Sequence, residues 1–324
     1  MRGLLWVALG LAVLWGGWWF VGSRGVQAGA EAFFAEQSAR GLEADHAGIT
    51  VAGFPSRFDL TVTSPHLADP ARGLGWSAPF AQVFAMSWKP WHLIAALPGG
   101  QIFDGPGGRV TLEGERMMGS LLLSPGPDLA LSEAVAEGQS LRLTGATAVT
   151  AVGHVVASVR QEGEATYRLG LKAGDLALSP GFGENDGPGA LMSEAYLDAR
   201  LQLSAPLDRH LGDNRPRPVT LDLTRATLVW GKMRLTASGA LAPDADGFAA
   251  GEIAVEVRGW RHLPPALAAM GLIGPGFAPA LTRGLETMAA EGADPEVLIL
   301  PLRAKAGRLA LGPLPLGAAP RWGD

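Results

Sequence analysis

Glu113 and Glu115 stand two residues apart in a segment that alternates like a strand, which would set two carboxylates on one face about 7 Å apart. A pair that close falls within the span used for acid–base work on a glycosidic bond. The alternation Arg109, Thr111, Glu113, Glu115 is also what a solvated strand face presents, and that accounts for the pair without chemistry. Asp244-Ala245-Asp246-Gly247 resembles part of a calcium loop, yet Ala242 stands where the first ligand belongs and Ile253 where the closing glutamate belongs. It reads as a turn. The six histidines, His46, His66, His92, His154, His210 and His262, are scattered without metal-ligand spacing. Gly231-Lys232 runs into Met233 and lacks the upstream glycine of a phosphate loop. No Gly-x-Ser-x-Gly elbow occurs, and with no cysteine there is no disulfide, zinc–thiolate site or thiol nucleophile. The residues therefore imply no enzyme, no metal and no cofactor.

The elements around these residues are more informative. Of the 324 residues, 48% are hydrophobic and 18% charged, a balance that excludes intrinsic disorder. The formal net charge of −5, with no basic stripe, argues against a nucleic-acid partner. Leu4–Val21 carries no charge and, as a helix, spans about 27 Å, close to the roughly 30 Å hydrocarbon core of a bilayer. Trp6 lies near one end and Trp15, Trp18 and Trp19 crowd the other, where indoles favour the headgroup boundary. Residues 1–22 are thus expected to be a transmembrane signal-anchor. Ala28-Gly29-Ala30 resembles a cleavage site, but the apolar run is long and ends in Trp-Trp-Phe, which favours retention. Export of everything beyond it, as a single-pass protein of the bacterial inner membrane with its main domain in the periplasm, is the simplest topology.

Residues 23–41 are expected to continue as a helical stalk, Gln27–Arg40 being Ala-rich with Gly41 as a stop. The period then changes from helical to two-fold. In Ser56–Thr63, Phe58, Leu60 and Val62 face one way and Arg57, Asp59, Thr61 and Thr63 the other. Phe80–Trp88 reads as a further strand, and a dozen similar segments follow between Arg109 and Gly312. Turn residues separate them, among them Gln161-Glu162-Gly163, Ala173-Gly174-Asp175, Asp244–Gly247 and Ala306-Gly307. Neighbours joined so closely must pair antiparallel. Two helical interruptions are expected: a short apolar turn at Trp91–Leu97 after Pro90, and a helical pair from Leu263–Ile273 and from the face Phe277, Leu281, Leu285, Met288. The fold class is mainly β, with large, antiparallel, curved sheets and a few helices behind a transmembrane helix. Residues 42–324 form the β-rich domain, with the Gly/Pro stretch 180–189 as the boundary should it divide into two lobes.

Five pieces occur in order along the chain: Gly53-Phe54-Pro55 leading into Arg57-Phe58-Asp59-Leu60; Trp76-Ser77-Ala78-Pro79; Lys89-Pro90-Trp91-His92; Trp230-Gly231 with Leu235-Thr236-Ala237-Ser238-Gly239; and Gly307-Arg308-Leu309-Ala310-Leu311-Gly312-Pro313. Together they resemble the bacterial family named domain of unknown function 2125, seen mostly in alphaproteobacteria. The resemblance implies an inner-membrane-anchored envelope protein with no assigned reaction. Gly239–Val257 is also similar to segments near the C-termini of AsmA-like envelope proteins, whose sheets are thought to handle lipids.

The function expected from these features is binding or guiding of a lipid or other apolar envelope component. The contact residues would be Phe80, Phe84, Met86 and Trp88 on the larger face of their strand, with Trp91 in the segment capping one end. The alternative is an envelope scaffold that recruits protein partners, whose identity the sequence does not encode.

Overall fold

The computed structural model describes residues 2–145, 149–179, 189–211, 216–269, 273–292, 294–312 and 314–322. Strand accounts for 56% of the described residues and helix for 21%, and the strand pairings are antiparallel. The chain divides into two compact units: residues 1–125 with 136–145, and residues 126–135 with 146–324.

The first unit opens with α1 (Arg2–Ala39), one unbroken helix that joins the apolar run to the stalk. Behind it lie β1 (Glu43–Asp45), β2 (Gly48–Ala52), β3 (Arg57–Thr63), β4 (His66–Asp69) and β5 (Leu74–Ser77). Then follow β6 (Phe80–Met86), β7 (Lys89–Leu97), β8 (Gln101–Gly105), β9 (Gly108–Glu113), β10 (Arg116–Leu123) and the later part of β11 (Leu131–Thr144). One ladder runs β2–β3–β6–β7–β10 and another β1–β4–β5–β8–β9–β11. The two-fold pattern of β3 holds. Phe58 and Val62 are buried and Leu60 packs with Val62, Ile49 and Phe34 of α1, while Arg57 and Thr63 are exposed.

Trp91–Leu97 is not a helical turn but most of β7, hydrogen-bonded to β6 on one side and β10 on the other. A central strand with apolar residues on both faces reads as an apolar run, which periodicity cannot tell from a short helix. Pro90 is tolerated because it sits beside the register shift between Ala85 and Met86, where a ladder donor is not required. Glu113 and Glu115 do not share a strand either: β9 ends at Glu113, and Ser140 Oγ donates to Glu115.

The second unit is a meander in which each strand pairs with the next. It comprises β12 (Val149–Gly163), β13 (Thr166–Leu178), β14 (Leu191–Leu203), β15 (Pro218–Trp230), β16 (Met233–Pro243), β17 (Ala249–Arg258), β18 (Val297–Lys305), β19 (Arg308–Leu311) and β20 (Leu314–Ala318). Between β17 and β18 lie α2 (Leu263–Ala269) and α3 (Ala278–Ala290), whose Leu281 and Leu285 turn inward as their spacing predicts. These helices close a core of Trp230, Met233, Val257, Trp260, Leu298 and Leu300. In β17 the alternation is regular, with Ile253, Val255 and Val257 buried and Glu252 and Glu256 exposed. In the β16–β17 hairpin a Cβ at Gly239 would lie 2.3 Å from the Glu252 carbonyl, so only glycine permits that approach.

Asp244–Gly247 is a turn, its Asp244 carboxylate accepting from the Asp246 and Phe248 amides at 3.0 and 2.9 Å. Ala173-Gly174-Asp175 is not a hairpin turn. β13 runs through it, and Asp175 takes a left-handed φ of 54°, a kink rather than a reversal. Residues 180–188 lie outside the described residues. The strands flanking them, β13 and β14, pair in register within the second unit, so the division of the chain does not fall there.

In this meander Arg168 grips Asp198 with two hydrogen bonds of 2.9 and 2.8 Å. Those bonds, opposed by burial, hold the Asp198 carboxyl below the usual aspartate range. A depressed carboxylate stabilises the fold above its unfolded value, about 3.9, and that contribution is lost as pH falls through the lower folded value. Asp198→Asn is therefore expected to flatten the acid limb of stability against pH below about 4, measured by denaturant midpoints. Equal slopes in variant and wild type would refute it.

Candidate functional site

The residues that converge in the first unit do so on α1. Its first apolar turns, Leu4–Leu14, are exposed on every side, but from residue 16 onward Gly16, Trp19, Ser23 and Phe34 form a buried seam at helical spacing. Two turns grip the start of that seam. Between β2 and β3, Gly53 adopts a φ of 96°, where a Cβ would lie 2.8 Å from the Arg57 carbonyl. This lets Phe54-Pro55-Ser56 fold back onto the helix. Between β6 and β7, Ser87 and Trp88 make the second turn.

Three indoles bind the backbone of these turns. Trp15 Nε1 donates to the Pro55 carbonyl at 3.0 Å, Trp18 Nε1 to Ser87 at 3.3 Å, and Trp19 Nε1 to Arg57 at 2.6 Å. The ring of Trp19 meets Phe54 edge-on at 5.3 Å and stacks on Phe58 at 6.2 Å, while Trp15 lies 6.4 Å from Trp88. Small residues admit the contact: a Cβ at Gly22 would fall 2.5 Å from the Phe58 ring. The pieces Gly53-Phe54-Pro55, Arg57–Leu60 and Lys89-Pro90 are thus gathered around one end of the apolar run.

The five residues expected to contact an apolar ligand are not gathered into a cavity. Phe80, Phe84 and Met86 lie on the outward face of β6, and the register places Ile94 beside Phe84, with Met118 further along the same ladder face. Phe80, Met86, Ile94 and Met118 are exposed and Phe84 half-buried. Trp88 leaves the strand and joins the turn against α1, 54% exposed. Trp91 falls on the other face of β7 and is half-buried.

A family model described as "Uncharacterized protein conserved in bacteria (DUF2125)" matches residues 19–320. The chain belongs to that family. No curated protein and no solved structure matches it. The matched span of this DUF2125 chain begins at Trp19, the indole buried most deeply in the seam, and takes in both gripping turns.

Sequence reasoning for this DUF2125 member placed the tryptophans at a headgroup boundary and missed that they bond to β turns. The signal lay in Gly16 and Gly22, one face apart on the helix and bracketing Trp19. Elsewhere in the first unit an open groove of about 450 Å³ is lined by Leu42, Leu67, Leu74, Trp76 and Phe103. Trp76 is steadied there by Gln101 at 3.1 Å. No cluster of three metal-ligating side chains exists among the described residues.

Proposed function

We propose that this protein is held in the bacterial inner membrane by α1, with its β units in the periplasm, and that the outward face of β6, β7 and β10 takes up an acyl chain or similar apolar envelope component. α1 is long and apolar enough to cross a membrane. The observation that carries the lipid reading is the strip of exposed Phe80, Met86, Ile94 and Met118 around half-buried Phe84, whose Met86 end adjoins the turn seated on α1. Contiguous exposed apolar surface of this kind marks an interaction site. Retention of the anchor is favoured because cleavage after Ala30 would remove Trp19 and Ser23 from the seam and strip the cover from Phe58.

A scaffold role is the second reading. Gln82 bonds Thr61 at 3.3 Å and His92 meets Ser120 at 3.1 Å within the same face, the polar interleaving of a protein–protein surface. Full-length protein in detergent, offered a photoactivatable fatty acid, discriminates the two. Adducts are expected on peptides from β6, β7 and β10, and Phe84→Glu should remove most of them while the melting transition survives, because Phe84 is only half-buried. Adducts confined to Leu4–Leu14, or unchanged in the variant, would leave the scaffold reading.

A further inference from the structure

The length of the apolar run conflicts with the point at which the β unit grips it. No charged side chain falls between Arg2 and Arg24, and the intervening helix is about 32 Å long, the thickness of one hydrocarbon core. The β turns do not wait for that run to end. Trp15, which bonds the Pro55 carbonyl, lies nine residues before Arg24 and so about 13 Å short of it along the axis. The part of α1 free of the β unit, up to Leu14, is only about 18 Å long and cannot span a bilayer alone.

We propose that the turns Gly53–Ser56 and Ser87–Trp88 are submerged in the lipid leaflet on the domain's side, completing the membrane seat that α1 begins. This inference rests on α1 crossing the bilayer.

Two independent features fit a low-dielectric setting. The most exposed large side chains at these turns are Phe54, 57% exposed, Trp88, 54%, and Met86, 43%, all apolar, with Phe54 and Trp88 keeping one ring edge against α1. Several backbone groups of the turns are also paired within the protein. Gly53 O accepts from the Ser56 and Arg57 amides, Pro55 O from Trp15 and from Ser87 Oγ, Ser56 O from the Ser87 amide, and Ser87 O from Trp18. Irregular backbone is tolerated at membrane depth only when satisfied in this way. The first charges beyond the turns are Arg57, in an ion pair with Asp59 at 2.9 Å, and Lys89, whose long stems let the cationic heads reach lipid phosphates.

Because the chain has no cysteine, single labels can be placed cleanly. Full-length Phe54→Cys, Met86→Cys and Thr63→Cys, each carrying a nitroxide, would be reconstituted in vesicles of phosphatidylethanolamine and phosphatidylglycerol. Labels at 54 and 86 are expected to collide with oxygen several-fold more than with a water-soluble nickel chelate, and the label at exposed Thr63 to show the reverse. If all three favour the chelate while carbonate leaves the protein in the membrane, the submerged turns are refuted and the anchor stands. If carbonate releases the protein, the anchor itself fails.

Discussion

Phe58→Asp is expected to unfold the first unit. Phe58 is 4% exposed, beneath Trp19 and against Gly22, so removing the ring forfeits about 3–5 kcal/mol and the new carboxyl has no partner there. A unit with a stability in the ordinary range of roughly 5–15 kcal/mol does not absorb that loss and the buried charge together. Thr63→Asp, on the exposed face of the same strand, should change stability by no more than about 0.5 kcal/mol. Limited proteolysis and denaturant titration of both full-length variants give the comparison. Equal resistance in the two would mean that the face assignment of β3 is wrong.

Trp260→Ala should have an effect of similar size in the second unit. The indole is fully buried among the side chains of α2, α3 and the sheet, and its Nε1 donates to the Pro295 carbonyl at 3.0 Å. Deleting it opens a cavity and orphans that carbonyl, a combined loss of about 3–5 kcal/mol. Trp260→Phe keeps much of the volume and loses the hydrogen bond, so its cost should be roughly 1–3 kcal/mol. If the two variants melt together with wild type, the helices between β17 and β18 do not close a core.

The alternating strands were legible because one face is wet: β3, β17 and the inward face of α3 follow from period alone. β7 was not, since beyond Lys89 it is apolar on both faces except for His92, too little to establish a period. Short strands such as β1, β4 and β5, of three or four residues, carry too few positions to establish a period. The kink at Asp175 was misread as a turn because Gly-Asp chemistry serves a bulge as well as a reversal. For the site, Phe80, Phe84 and Met86 share one face of β6 as their alternation predicts, while Trp88, expected beside them, leaves the strand. The grip of Trp15, Trp18 and Trp19 on Pro55, Ser87 and Arg57 joins positions 38 to 69 residues apart, and no local pattern encodes such a pairing.

α1 runs 38 residues without a break, about 57 Å, and its second half is fixed along the β unit. In the proposed membrane seat α1 is therefore not a tether on which a domain swivels but a keyed shaft. There its rotational phase in the bilayer would set which way the β6 face looks, and its depth would set how far that face stands from the lipid. One alanine added between Val13 and Leu14, ahead of the seam, would leave every contact of the β unit intact. It would turn that unit by about 100° and shift it by about 1.5 Å relative to the preceding turns of the helix. Azimuth and height become quantities written in residue number, adjustable one rung at a time.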